Sequence, residues 1–237
     1  MKVRAALAAV LCLCAACGSG AGRSQRAAQT APAKAAAFAT RIDNEWLPFR
    51  RGTVFVYRGV KDGKPSRDVV RVTTRTKLID GVRCTAVDDR LYLRGRLAER
   101  TTDWYAQDAD GNVWYFGEAT AELDASGRVT STEGSWRAGV HGARAGIVMP
   151  AHPRVGRSFR QEFYKGHAED HFRILSVSAP VRVPYVSSAH ALLTKEWTPL
   201  EPGVIDHKLY VRGVGMVKEE TVKGGDERAV LVSVHRG

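Results

Sequence analysis

The sequence has almost no cysteine where a fold could use it. Of its four cysteines, Cys12, Cys14 and Cys17 crowd near the N-terminus and Cys84 stands alone. A body with one thiol has no internal disulfide framework. Cys84 lies in GVRCTAV between apolar neighbours, so it reads as a small buried core residue. A nucleophilic cysteine would need a histidine and an activating environment, and no local signature supplies either. Long apolar runs are also missing, because the N-terminal run Ala5 to Ala16 falls short of the ~20 residues a spanning helix needs. No segment keeps the period of a long amphipathic helix. There is no G-x-S-x-G elbow, H-E-x-x-H, P-loop or dinucleotide fingerprint. Acidic pairs exist, Asp88 with Asp89 and Glu219 with Glu220, but neighbouring strand residues face opposite ways, so neither pair can act together on one substrate. The reading leans away from an enzyme, and no cofactor is implied.

What is present begins with an export signal. Lys2 and Arg4 precede the apolar run, as in the n- and h-regions of a secretory signal peptide, residues 1–16. Ala15-Ala16-Cys17 followed by Gly18 resembles a bacterial lipobox, which makes Cys17 a lipidation site; an ordinary signal peptide cut near Ala16 or Gly22 is the alternative. Residues 17–38 are rich in Ala, Ser, Gln and Gly and read as a lipidated N-terminus and flexible tether. The expected address is therefore exported and membrane-anchored, periplasmic or at the cell surface.

The formal charge is +11, and arginine supplies most of the 36 basic residues. The charges do not cluster. Arg90, Arg94, Arg96 and Arg100 form the densest group, and Asp88, Asp89 and Glu99 interleave with them. With no aromatic-basic recognition motif, nucleic acid is not an expected partner. The expected partner is the membrane, through the lipid anchor, with a lipid or small amphiphile as ligand.

The remainder, 39–237, alternates with period two. TVFVYRG, DVVRVTTRT, VRCTAVDD, RLYLRG and AERTTDWYA read as strands, separated by KDGKP, IDG, RG and DADGN. RSFRQEFYKG, EDHFRILSVS, AHALLTKEW, DHKLYVRG, GMVKEETV and RAVLVSV repeat the style. Gly52 to Gly111 spans 59 positions, as does Gly156 to Gly215. This suggests two copies of one unit, about 46–117 and about 156–235. The expected fold is a single all-β domain, antiparallel, with two curved-sheet units closing into a barrel or clam-like sandwich. Between them, about 118–155, lies a Gly- and Ala-rich insertion that is either a lid or binding loop or a connector pinned outside the sheet by Trp136.

DWYAQDADGNVWYFGE, Asp103 to Glu118, poses a choice between a cation loop and a hairpin. Counting from Asp108, a calcium loop of EF-hand type needs Gly at position six and Glu at position twelve; Val113 and Ala119 stand there. Asp110-Gly111 between strand-forming residues indicates the hairpin. The aromatic residues alternate, so one set fills the core while Trp104, Trp114 and Phe116, with Trp136 and Met149 from the insertion, are candidates to line a ligand cavity. In QEFYKGHAEDH, His167, Glu169 and His171 would share one face of a strand and could hold zinc or copper. Lys165-Gly166 signals a turn that interrupts that spacing, and His152, flanked by prolines, could join only by folding back.

DWYAQDADGNVWYFGE, GSWRAG, GIVMPA, QEFYKGHAED, EWTPLEPG and GVGMVKEE together resemble a family of uncharacterised bacterial exported lipoproteins, over nearly the whole body. That resemblance implies export and a lipid anchor and brings no catalytic residues. At the level of fold, a lipidated, repeated, curved antiparallel sheet is similar to the half-barrel carriers that move lipids or lipoproteins across cell envelopes. Three functions are open: a non-enzymatic envelope lipoprotein binding an apolar or amphiphilic ligand, an envelope scaffold, and a metal-binding or hydrolytic protein.

Overall fold

The computed structural model describes residues 37–237. The signal peptide, Cys17 and all but the last residues of the expected tether lie outside them. The described chain holds no α-helix and sixteen strands: β1 (Phe38–Ala39), β2 (Val54–Lys61), β3 (Lys64–Ile79), β4 (Val82–Leu93), β5 (Arg96–Asp108), β6 (Val113–Leu123), β7 (Val129–Ser131), β8 (Trp136–Arg137), β9 (Arg144–Met149), β10 (Ser158–Arg160), β11 (Glu162–Phe163), β12 (His171–Arg182), β13 (Ser187–Trp197), β14 (Ile205–Val211), β15 (Gly215–Lys223) and β16 (Arg228–His235). The fold is all-β, as the alternation predicts.

Turn chemistry sets the register. Asp62-Gly63, Asp80-Gly81 and Arg94-Gly95 each take positive φ at both residues. Paired positive φ defines the tight hairpin turn whose twist matches that of the strands it joins. Lys61 therefore pairs with Lys64, Ile79 with Val82 and Leu93 with Arg96. The segments VRCTAVDD and RLYLRG, separate strands by pattern, run together as β4.

Thirteen strands follow one antiparallel path, β10-β12-β13-β14-β15-β16-β2-β3-β4-β5-β6-β9-β11, nearly closed into a barrel with one seam. Bulges bend the long strands toward closure, between Val72 and Thr76, Trp104 and Tyr105, and Leu209 and Tyr210, among others. The seam falls within one short stretch of chain. Ser158–Arg160 pairs with β12, and Glu162–Phe163, one residue later, pairs with β9. A Cβ on Gly146 in β9 would sit 2.2 Å from the Arg160 carbonyl, so glycine there permits the approach across the seam.

The insertion is part of the wall. β6 runs on to Leu123, and β7, β8 and β9 pair in turn along its free edge. Trp136 sits opposite Glu118 within this wall, packed edge-on against Tyr115 at 5.4 Å. This differs from both expectations, a lid and an outer connector: the segment's short strands meet an edge that would otherwise be left unpaired.

One end of the barrel is stoppered by residues 40–50. Thr85 Oγ1 donates to the Thr40 carbonyl at 2.7 Å, the Asp43 and Asn44 amides donate to Gln107 Oε1, and the Gly213 amide donates to the Glu45 carbonyl at 2.7 Å. The stopper thus reaches from β4 and β5 across to the β14–β15 turn. Ile42, Trp46 and Leu47 are buried against Val113, Met149, Phe172, Ile174, Leu192 and Tyr210. Each large apolar side chain buried this way contributes roughly 1.5–3 kcal/mol.

Candidate functional site

Inside the barrel, above the stopper, lies a cavity of ≈ 220 Å³. Leu47, Pro48 and Phe49 of the stopper form its floor, and Phe55, Tyr57, Val70, Val87, Tyr105, Val148, Tyr210 and Met216 its apolar walls. Asp68, Asp89, Asp103, Gln161, Lys208 and Glu219, with Gly215, complete the lining. Strand geometry explains how they meet. Asp68 and Val70 alternate with outward residues on β3, as do Val87 and Asp89 on β4, Asp103 and Tyr105 on β5, and Lys208 and Tyr210 on β14. The acids lie toward the end of each strand remote from the stopper.

A bulge adds to this face. Asp103 pairs with Glu118 and Tyr105 with Tyr115, so Phe116 is the extra residue on β6, next to Gly117 at φ 135°. The shift resets the alternation and places Glu118 on the same face as Tyr115. Tyr115 Oη donates to Asp103 Oδ1 at 2.6 Å and its ring stacks on Tyr105 at 4.8 Å. On β11, Phe163 lies outside under the Arg144 and Arg160 guanidinium groups, so its neighbour Glu162 points inward, 7% exposed.

Lys208 is the cation of this interior. Its Nζ is 2.9 Å from Glu196 Oε2 and 3.3 Å from Glu219 Oε1. Gln161 Nε2 also donates to Glu196 Oε2 at 3.0 Å, and Thr194 Oγ1 donates to Glu196 Oε1 at 3.2 Å. Lys208 and Glu219 keep 24% and 25% of their side-chain surface although they sit deep within the fold, because that surface faces the cavity. Burial opposes the charge on Lys208, but the two glutamates hold its pKa well above the usual lysine value.

The carboxyls without such a partner are pushed toward the neutral form. Burial raises Asp103 to about 7, with Asp68, Glu99 and Asp88 adding to the rise against the Tyr115 hydrogen bond. Burial and then Asp103 raise Glu118 to about 9, and burial and then Asp170 raise Glu162 to about 8. Asp89 is held well above the carboxylate range by burial and by its hydrogen bond to Asp68.

No family model and no curated protein matches the chain. Among solved structures, the chain is similar to a candidate exported protein with a YmcC-like fold from Bacteroides fragilis: 14% identity, 81% of this chain and 100% of that one, TM-score 0.47. It is also similar to a candidate lipoprotein from Parabacteroides distasonis: 10% identity, 81% of this chain and 99% of that one, TM-score 0.41.

The aromatic residues expected to line a ligand cavity lie away from this one. Trp104, Trp114, Phe116, Trp136 and Met149 are all packed in core and none lines the cavity. Trp104 lies under the Lys77 ammonium at 4.1 Å, Trp114 Nε1 donates to Asp108 Oδ2 at 2.7 Å, and Phe38 packs edge-on to both Trp114 and Phe116. Asp103 and Tyr105, their alternate neighbours, are the residues that face the hollow.

The expected metal triad does not assemble. The turn signalled by Lys165-Gly166 forms between Tyr164 and Ala168, which breaks the two-residue period. His167 stacks on Tyr164 and bonds Glu133 at 3.1 Å, while His171 bonds the Glu169 carbonyl and Arg160. His152 is exposed on its own loop. Among the described residues no three His, Cys, Asp or Glu side chains are placed to hold a metal ion. The Asp103–Glu118 stretch is a hairpin: the Asp108 carboxylate is taken by the Asn112 amide, Asn112 Nδ2 and Trp114 Nε1. Cys84 is fully buried, and burial pushes its thiol up to about 12.

Proposed function

We propose that this chain is an exported, lipid-anchored envelope protein that holds a small amphiphilic molecule inside its barrel without chemically changing it. The observation that carries the reading is the interior cavity, apolar toward the stopper and polar away from it. Hydrophobic cores are close-packed and leave few voids larger than a water. A hollow of ≈ 220 Å³ lined by both kinds of group is therefore a binding feature. Drug-sized pockets run to roughly 300–1,000 Å³, so the occupant is smaller than a whole lipid. Export and the anchor rest on the N-terminal sequence, with Cys17 as the acyl acceptor.

Native mass spectrometry of the whole protein, released gently from its host, tests the reading. The expected result is an added mass of a few hundred daltons or less that leaves on denaturation. A bare polypeptide mass, together with no saturable uptake of any small amphiphile, would turn the search toward protein partners.

A further inference from the structure

The wall of the cavity holds more acids than bases. It carries four acids, Asp68, Asp89, Asp103 and Glu219, against the single cation Lys208. Lys208 is already engaged by Glu196 and Glu219. Among the described residues no lysine or arginine pairs with Asp68, Asp89 or Asp103, while Asp88, one residue from Asp89 and on the outer face, is paired with Arg75 and Arg90. The molecule as a whole is strongly basic, so the absence of cations inside is not a shortage of them.

One carboxylate oxygen of the wall also lacks a hydrogen-bond donor. Asp68 Oδ1, in the cavity wall, has none beyond the neighbouring Asp89 carboxyl. Glu162, more than nine-tenths buried on β11, has the Trp136 indole as its own neighbouring donor. A buried polar atom left without a hydrogen bond costs roughly 1–3 kcal/mol, so Asp68 Oδ1 is an acceptor open to a donor in the cavity.

Resting on the reading of the cavity as a ligand site, we propose that its occupant is a small organic ammonium ion. Its N–H groups serve the inward carboxylates and its hydrocarbon lies against the aromatic walls. Tyr57, Tyr105 and Phe49 supply ring faces, which attract cations as well as hydrocarbon. A metal ion does not fit the same acids, because no three of them converge at ligating distance. An ammonium with several donors on one nitrogen tolerates that wider spacing, using one carboxylate per N–H. An anion would meet like charge, and a neutral molecule would desolvate the acids and leave them without counter-charge.

Isothermal titration calorimetry on the full chain carrying Cys17→Ser, which removes the lipid acceptor, tests this with three size-matched probes: hexylammonium, 1-hexanol and hexanoate. At about pH 8 the amine stays protonated, since alkylamines titrate near the lysine value. The expected order is hexylammonium first, 1-hexanol at least about tenfold weaker, and hexanoate unbound. Asp68→Asn and Asp103→Asn are each expected to weaken hexylammonium about tenfold and to leave 1-hexanol unchanged, in line with the loss of one charge-assisted hydrogen bond. Either variant suffices if the other fails to fold. Equal binding of all three probes would overturn the charge preference and leave the cavity reading standing. Binding of none, or hexylammonium binding unaffected by Val70→Trp, which fills the cavity, would overturn both.

Discussion

Gly117 holds φ at 135° in the middle of β6, and a Cβ there would come within 2.3 Å of the Trp136 carbonyl in β8. An alanine faces both strain and a clash with backbone that is itself paired. Gly117→Ala is expected to lower stability by about 3 kcal/mol or more, read as a fall in the urea midpoint. Because the adjacent bulge turns Glu118 inward, the same change should also weaken ligand uptake in whatever fraction stays folded; full stability in the variant would show that the wall can move there. At this scale the alternation of side chains was readable, but which face is inside was not. Asp88 and Asp89 necessarily point apart, and so do Glu219 and Glu220. What no single strand discloses is that Asp89 and Glu219 look into one cavity while Asp88 and Glu220 bind Arg75 and Lys218 elsewhere. Trp104 and Tyr105 pose the same ambiguity, and Tyr105 is the member of the pair that lines the cavity.

The element that decides whether the cavity has a floor is the segment 40–50, and Asn44 is its fastening. Asn44 Nδ2 donates to the Gly111 carbonyl at 2.9 Å and the Pro150 carbonyl at 3.3 Å, while Asn44 Oδ1 accepts from the Trp46 and Leu47 amides. Asn44→Ala removes these bonds from a residue that is 6% exposed and leaves buried backbone groups without partners. The expected cost is about 2–4 kcal/mol. Hydrogen exchange should report it locally, with faster exchange at Trp46 and Leu47 and no change at the β2–β3 hairpin. Uniform acceleration over the whole sheet would mean that the stopper folds with the barrel as one unit. Hairpins are the most legible elements, since an Xaa-Gly pair between alternating strands fixes both turn and register. The stopper and the insertion were not legible, because each is stabilised by distant partners. Asn44 reaches Pro150, and the β8 and β9 residues gain strand structure only from the free edge of β6.

For the whole molecule, the interior acids set the dependence of stability on pH. In the unfolded chain Asp103, Glu162 and Glu118 titrate near the ordinary carboxylate values of about 4. In the fold they titrate at about 7, 8 and 9, respectively, chiefly through burial. Between the unfolded and folded values the folded protein keeps a proton that the unfolded chain has lost. Their contribution is therefore complete below about pH 4 and is lost as pH rises through 7 to 9, each group supplying at most about 1.4 kcal/mol per pH unit within its window. The lowered pKa values of Asp43, Asp124 and Glu220 act in the opposite sense, adding stability above about pH 4 that is lost on further acidification. His171, lowered by burial and by Arg160, also opposes the decline near neutrality, as one group against the several raised carboxyls. The optimum is expected at about pH 4 to 5, with the urea midpoint falling steadily from pH 5 to 9. Glu118→Gln, which keeps the shape and cannot ionise, should flatten the upper part of that fall. A midpoint that rises across the same range would mean that the interior acids are ionised and paired in the fold. A bound ammonium ion supplies the counter-charge that Asp103 lacks in the cavity wall, so hexylammonium at saturation should flatten the lower part of that fall in the unmodified chain, and 1-hexanol should not.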